Sequence, residues 1–85
     1  MRRIDLYTSA SCRPCKLLKP IINEFVEEEK DVDLNIIDLE NMRHVFEEYD
    51  VMSTPTVIFY DTGTEYNRYS GMMTKDRIKQ LFNSK

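Results

Sequence analysis

Cys12 and Cys15 are the only cysteines in the chain, with Arg13 and Pro14 between them. Two cysteines cannot build the multi-bridge framework on which small secreted folds depend. The spacing points instead to redox chemistry or to half of a metal site. Zinc takes four protein donors in a structural site and three in a catalytic one. The only candidate for a third donor is His44, distant in sequence and set among polar residues, where it reads as an ordinary surface histidine. A bridge enclosing two residues removes little chain entropy, so a purely structural disulfide is also a poor explanation. The dithiol reading is the one to develop.

That reading needs one sulfur that ionises and a second within its reach. Downstream, Leu17, Leu18, Ile21, Ile22, Phe25 and Val26 form two rows at i, i+4 spacing, opposite Lys16, Lys19, Asn23, Glu24 and Glu27. This periodicity predicts a helix with one apolar face. Ser11 or Cys12 caps its start, and Pro14 fits the first turn, where no N–H is required. Pro20 falls inside the helix and is expected to kink it. Cys12 then lies at the helix start and Cys15 one turn in, so the two sulfurs can bond. Unpaired N–H groups at the helix start, with Arg13 and Lys16 nearby, favour a thiolate. Such settings lower a cysteine pKa from roughly 8.5 into the ~3.5–7.5 range. Cys12 is the expected exposed nucleophile and Cys15 the shielded resolving thiol.

The remaining elements must hold this pair in place. Ile4 and Leu6 alternate with Asp5 and Tyr7, predicting a strand over residues 2–8, and a small polar loop from Thr8 to Ser11 joins it to the helix. Val32, Leu34 and Ile36 alternate with Asp33 and Asn35 in a second strand ending near Asp38. Residues 40–48, with Met42, Val45 and Phe46, read as a short helix. Thr56 to Tyr60 is a dense β-forming run, Asp61-Thr62-Gly63 supplies turn chemistry, and residues 64–69 return as a strand. Thr74 caps a last helix through Phe82, with Ile78, Leu81 and Phe82 on its inner face. Glu27-Glu28-Glu29 reads as a solvated surface, placed where the helix dipole disfavours it.

The order β-α-β-α-β-β-α is an α/β arrangement. A right-handed crossover makes the first two strands parallel, and a hairpin completes a four-stranded mixed sheet flanked by three helices. The cysteines follow the first strand, at the carboxyl end of a central strand, where open α/β sheets place their ligands.

Eighty-five residues allow one domain, spanning 1–85. Folding should shrink its accessible area from roughly 14,800 to roughly 5,300 Å², enough for one modest core. Twelve basic residues against fifteen acidic ones argue against a nucleic-acid partner. No apolar run approaches the ~18 residues of a membrane span. Met1-Arg2-Arg3-Ile4-Asp5 carries the charge of a signal peptide without its apolar stretch. The expectation is a cytoplasmic monomer that binds neither nucleic acid nor membrane.

Over nearly its whole length the chain resembles the thioredoxin family. The motifs that carry the resemblance are Ser11-Cys12-Arg13-Pro14-Cys15-Lys16, then Pro20, Ser53-Thr54-Pro55-Thr56 and Gly71. The usual N-terminal strand and helix of that family are absent, as in glutaredoxins and other trimmed members. The resemblance implies a thioredoxin-like fold and reduction of protein disulfides, with no bound cofactor beyond the Cys12–Cys15 couple. It implies a cis Pro55 beside the disulfide and a Thr54 main chain offered to an extended substrate segment, as in strand addition. Met52, Ser53, Gly71 and Met72 would frame the same patch, with Arg13 and Pro14 beside the sulfurs. Read without the cysteines, Pro55 would simply open an edge strand. The implied partners are a thioredoxin-reductase-like electron donor and disulfide-bearing proteins, ribonucleotide reductase being one candidate by family analogy.

The departures from the family carry their own expectations. Ser11 stands where a Trp is usual, and Arg13-Pro14 replaces Gly-Pro. The aspartate buried beneath the second cysteine and its companion lysine fall on Leu6 and Leu34. Losing both together is coherent, since one buried ion without its partner is costly. That aspartate assists proton removal from the resolving thiol, so Cys15 must here pass its proton to water or to the leaving thiolate. Asp5 is adjacent in sequence but points to the other face of its strand. Glutaredoxins usually show Cys-Pro-Tyr-Cys, Thr-Val-Pro and a Gly-Gly pair, whereas this chain has Ser-Thr-Pro and only Gly71 before Met72. A glutathione-dependent reductase is therefore the second reading, and a binding module with incidental redox activity the third.

Overall fold

The computed structural model describes residues 1–85. Arg2–Thr8 forms β1, Arg13–Glu29 α1, Val32–Asp38 β2, Leu39–Glu48 α2, Thr56–Asp61 β3, Thr64–Ser70 β4 and Lys75–Phe82 α3. The strands lie in the order β2-β1-β3-β4, the four-stranded mixed sheet expected. β1 pairs parallel with β2 and antiparallel with β3, and β3 pairs antiparallel with β4. β1 and β3 are thus interior strands covered on both faces, which is why Asp5 and Tyr7 are buried along with Ile4 and Leu6.

Alternation along β1 and β3 divides the core in two. Ile4, Leu6, Val57 and Phe59 face Leu18, Ile22 and Phe25 of α1 and Ile78 and Phe82 of α3. Tyr7, Ile58 and Tyr60 face the other way, against Phe46 of α2 and Val51. The folded surface is 5274 Å², close to the size-scaling expectation. No helix is long and apolar enough to cross a membrane.

Several elements differ from the sequence expectation for identifiable reasons. The buried stripe of α1 is Cys15, Leu18, Ile22 and Phe25. Leu17, 58% exposed, lies outside it, because a helix laid on one sheet face buries less than two full rows. α1 runs on through Pro20, whose ring is on the exposed side, where the freed carbonyl can be hydrated. β2 is an outer strand, so Leu34 is only half-buried and Ile36 is exposed, while Ile37 is buried beneath α2. Met42 leaves helical geometry (φ −135°, ψ 43°), so α2 is two short turns joined at a bend, with Phe46 as its buried anchor. Glu28 of the acidic run is not merely solvated. With Glu24, one turn earlier, it receives Lys75 of α3, clamping α1 to α3. The β3–β4 turn has Thr62 and Gly63 both at positive φ, the mirror-image turn that suits a two-residue hairpin.

Candidate active site

β1 delivers the chain to Thr8, and three small residues later it enters α1. Cys12 is the residue that caps the helix: its backbone is extended, and its Sγ accepts a hydrogen bond from the Cys15 N–H at 3.2 Å. The sulfur therefore occupies the place that a Ser or Asp oxygen would take at a helix start. Pro14 sits in the first turn, where it removes an N–H that would have no helical partner. Cys12 and Cys15 form a disulfide, with their Cα atoms 5.3 Å apart. Cys12 is half-buried and Cys15 is 2% exposed. A reagent approaching from solvent meets Cys12 first.

The second wall is the segment before β3. The Thr54–Pro55 peptide is cis. Pro55 is buried, whereas Met52 is 97% exposed and Ser53 is exposed. The Thr56 hydroxyl donates to the Ser53 carbonyl at 2.8 Å and meets the Ser70 hydroxyl at 2.9 Å, which fixes the turn to β4. Gly71 donates its N–H to the Pro55 carbonyl at 2.8 Å and has φ +112°, a backbone that L side chains rarely adopt. The Thr54 N–H and carbonyl take no main-chain partner. Met72, 43% exposed, follows on the same side, while Met73 is drawn into the core.

One tie joins these walls and a second anchors the cysteine loop to α2, and no local sequence pattern announces either. The hydroxyls of Ser9 and Thr54 meet at 3.1 Å. The Ala10 N–H donates to both carboxylate oxygens of Glu40 at 3.2 Å. Asp38 hydrogen-bonds to Glu40, and together with the Ala10 N–H this holds the Glu40 carboxyl below its ordinary range. The same hydrogen bond, then burial and the Glu40 charge, raises Asp38. The one clue in the sequence was topological: the carboxyl end of β2 must lie beside that of β1, so acids at 38 and 40 must fall near the cysteine loop.

Of the sequence candidates, Cys12, Arg13, Pro14 and Cys15 lie together at the start of α1. Thr54 is tied to the cysteine loop through Ser9 and Gly71 to Pro55, while Met52 and Ser53 line a cleft with Leu39, Arg43 and Phe46 of α2. Leu6 is fully buried in apolar surroundings. Asp5 lies on the α2 face, its carboxylate taking Arg3 at 3.1 Å and Asn35 at 3.1 Å, and does not turn toward Cys15. His44 is exposed on α2, and no group of three His, Cys, Asp or Glu side chains is placed to hold a metal ion.

The sequence model of the thioredoxin family matches residues 4–84. A thioredoxin of Mycoplasmoides gallisepticum is 33% identical over 78 residues, covering 92% of this chain and 77% of that protein. The chain is also 36% identical over 77 residues to part of an NADPH-dependent thioredoxin reductase 3 of Arabidopsis thaliana, covering 89% of this chain and 15% of that one. Among solved structures, a mutant thioredoxin from Halobacterium salinarum superposes with a TM-score of 0.88, covering 98% of this chain and 73% of its own. At 24% identity that last likeness speaks for the fold alone.

Proposed function

The chain belongs to the thioredoxin family of thiol-disulfide oxidoreductases, and from that premise we propose that it reduces protein disulfides with Cys12 as nucleophile and Cys15 as resolving thiol. The observation that carries this assignment is the asymmetry of the pair: a half-buried Cys12 at the helix cap, bonded to a Cys15 that is 2% exposed. The Cys12 thiolate attacks one sulfur of a target disulfide, and the other target sulfur leaves with the bonding electron pair. Cys15, deprotonated, then attacks the Cys12 sulfur. The Cys12–Cys15 bond forms, the second target sulfur leaves as a thiolate, and two electrons have passed to the target.

The target segment lies along Thr54, whose free N–H and carbonyl can pair with an extended strand. Ser53 and Pro55 bound that contact, with Met52, Gly71 and Met72 around it. Methionine side chains adapt to varied partners. Arg13 and Pro14 meet the target beside the sulfurs. Members of this family are reduced by thioredoxin reductase and act on disulfide-bearing proteins. A reductase-like donor is supported here by the match to part of a protein named as such a reductase. Ribonucleotide reductase is a candidate target by family analogy. The proposal treats residues 1–85 as a single domain acting as a cytoplasmic monomer.

Insulin disulfide reduction tests the assignment. Cys12→Ser should show no turnover, and Cys15→Ser should accumulate the mixed disulfide. Turnover by Cys12→Ser would end it. Reduction of the oxidised protein by thioredoxin reductase, and not by glutathione, separates this reading from a glutathione-dependent enzyme. Failure with both donors would favour a binding module.

A further inference from the structure

The family's proton acceptor beneath the resolving thiol is missing, since its position is Leu6, enclosed in the apolar core. Cys15 is nevertheless not sealed on every side. It lines a cleft of about 310 Å³ between residues 8–10 at the end of β1, Lys16 and Lys19 on one side of α1, and Asp38 at the end of β2. The cleft exists because Thr8, Ser9 and Ala10 are small. It is large enough to hold several waters.

The sheet register places Asp38 on the correct side. In the parallel pair β1–β2, Leu6 lies opposite Ile36 and Thr8 opposite Asp38. Paired residues project to the same face, and side chains alternate along each strand. Asp38 therefore shares the α1 face with Leu6, Thr8 and Cys15. Asp5 projects to the α2 face, where Arg3 and Asn35 already engage it. Asp38 is the one carboxyl group lining the cleft.

We propose that Asp38 is the proton acceptor of the resolving step, reached from Cys15 through solvent in this cleft. The inference rests on the resolving role assigned to Cys15 above. In the mixed disulfide, the Cys15 S–H proton passes through a cleft water to the Asp38 carboxylate. The electron pair left on Cys15 sulfur forms the bond to Cys12 sulfur, and the bond from Cys12 to the target breaks with its pair on the target sulfur. That thiolate takes its proton from bulk water, and Asp38 returns its own to solvent.

The charges facing Asp38 suit an acceptor that must hold a proton briefly. From α2, Glu40 shares a hydrogen bond with it and raises its proton affinity, while Asn41 donates to its Oδ2 at 3.3 Å. From α1, Lys16 and Lys19 line the opposite side of the cleft. β1 contributes only the uncharged Thr8. Glu40, which raises the carboxyl, and the Asn41 donor, which lowers it, oppose each other, so the group can both accept and release.

The test is stopped-flow reaction of the reduced 85-residue protein with dithiobis(nitrobenzoate), which releases one coloured thiolate on attack by Cys12 and a second on resolution by Cys15. Asp38→Asn should leave the first phase unchanged and slow the second by about tenfold, less than the ~100-fold a base in direct contact supplies. It should also remove the carboxylate limb from the pH profile of the second phase and lower its solvent isotope effect. Asp38→Glu should restore part of the rate. Glu40→Gln, which removes the neighbouring charge, should move the limb to lower pH without abolishing it. Superimposable second phases for Asp38→Asn and the unmodified protein would overturn the inference, as would equal loss of the limb in Glu40→Gln, which would assign the effect to the cysteine loop. Loss of the limb in Asp5→Asn would overturn it too. If Cys15→Ser still releases the second thiolate, the resolving assignment itself fails. If Cys15→Ser stalls while Asp38→Asn does not slow, only the role of Asp38 fails.

Discussion

Ser9 and Thr54, 45 residues apart in sequence, share a hydroxyl–hydroxyl hydrogen bond of 3.1 Å between the loop that presents Cys12 and the segment that presents Pro55. Ser9 is buried and Thr54 half-buried. The bond ties the loop that carries Cys12 to the main chain proposed to bind the target.

Ser9→Ala and Thr54→Val each leave one hydroxyl without its partner, and each should cost about 0.5–1.5 kcal/mol in urea unfolding of the oxidised protein. The double variant should cost less than the sum by about 0.5–1 kcal/mol, as residues in direct contact do. Both singles should also raise the KM for insulin more than they lower kcat. Strictly additive energies would show that the two hydroxyls do not support each other.

A second expectation concerns alkaline pH. Tyr7 is fully buried between Phe46, at 5.0 Å edge-to-face, and the sheet, and neither its hydroxyl nor that of Tyr60 has a protein partner. Burial, then the nearby Tyr60 and Asp5, raises the Tyr7 pKa strongly; burial also raises Tyr60. A phenol whose folded pKa lies above its unfolded value contributes full stability below about pH 10 and loses it as pH climbs through and beyond that point. Urea midpoints should therefore fall steeply above about pH 10. Tyr7→Phe deletes a hydroxyl that has no protein partner, so at pH 7 it should be neutral or stabilising by up to about 1 kcal/mol, with a shallower alkaline decline. A clear loss of stability at pH 7 would show that the hydroxyl is satisfied in solution.

These sites show where the sequence was informative. The Ile4/Leu6 alternation, the apolar rows from Leu17 to Val26 and the Thr74 cap are local patterns with local causes, and they located β1, α1 and α3. Ile36 and Met42 misled because burial on an outer strand and in a bent helix depends on what lies across from them. The cis peptide at Pro55 came only through family resemblance, since an X-Pro bond carries no local mark of its isomer. Ser9–Thr54 was not legible, and for Ala10–Glu40 and the Asp38 cleft only the pairing of β1 with β2 offered a clue, because each joins segments whose approach is set by strand order rather than by neighbours in the chain.

Gly71 offers a test of backbone alone. A Cβ added there would meet only the Tyr69 ring, at an ordinary 4.0 Å, so space is not limiting. The positive φ is, and Gly71→Ala should cost about 1–3 kcal/mol. If the backbone relaxes instead, the 2.8 Å bond to the Pro55 carbonyl lengthens and the segment proposed to bind the target shifts. Weakened insulin binding with an unchanged Cys12 alkylation rate would separate that outcome from damage to the nucleophile. Unaltered stability together with unaltered binding would show that φ at this position is not constrained.

Arg13 sets the remaining expectation, which concerns redox potential. It is exposed in the first turn of α1, one residue from the capping sulfur. Its charge stabilises the Cys12 thiolate, which exists only in the reduced protein, so it favours reduction and makes the couple more oxidising. An exposed charge near a helix terminus contributes ~0.3–1 kcal/mol. For a two-electron couple that is about 6–20 mV. Arg13→Ala should therefore shift the potential to a more negative value by that amount in glutathione redox buffers, and the shift should shrink in molar salt as the charge is screened. An unchanged potential would mean that the charge of Arg13 does not reach the thiolate and that the helix cap alone sets the poise of the couple, and a shift of opposite sign would overturn the expectation outright.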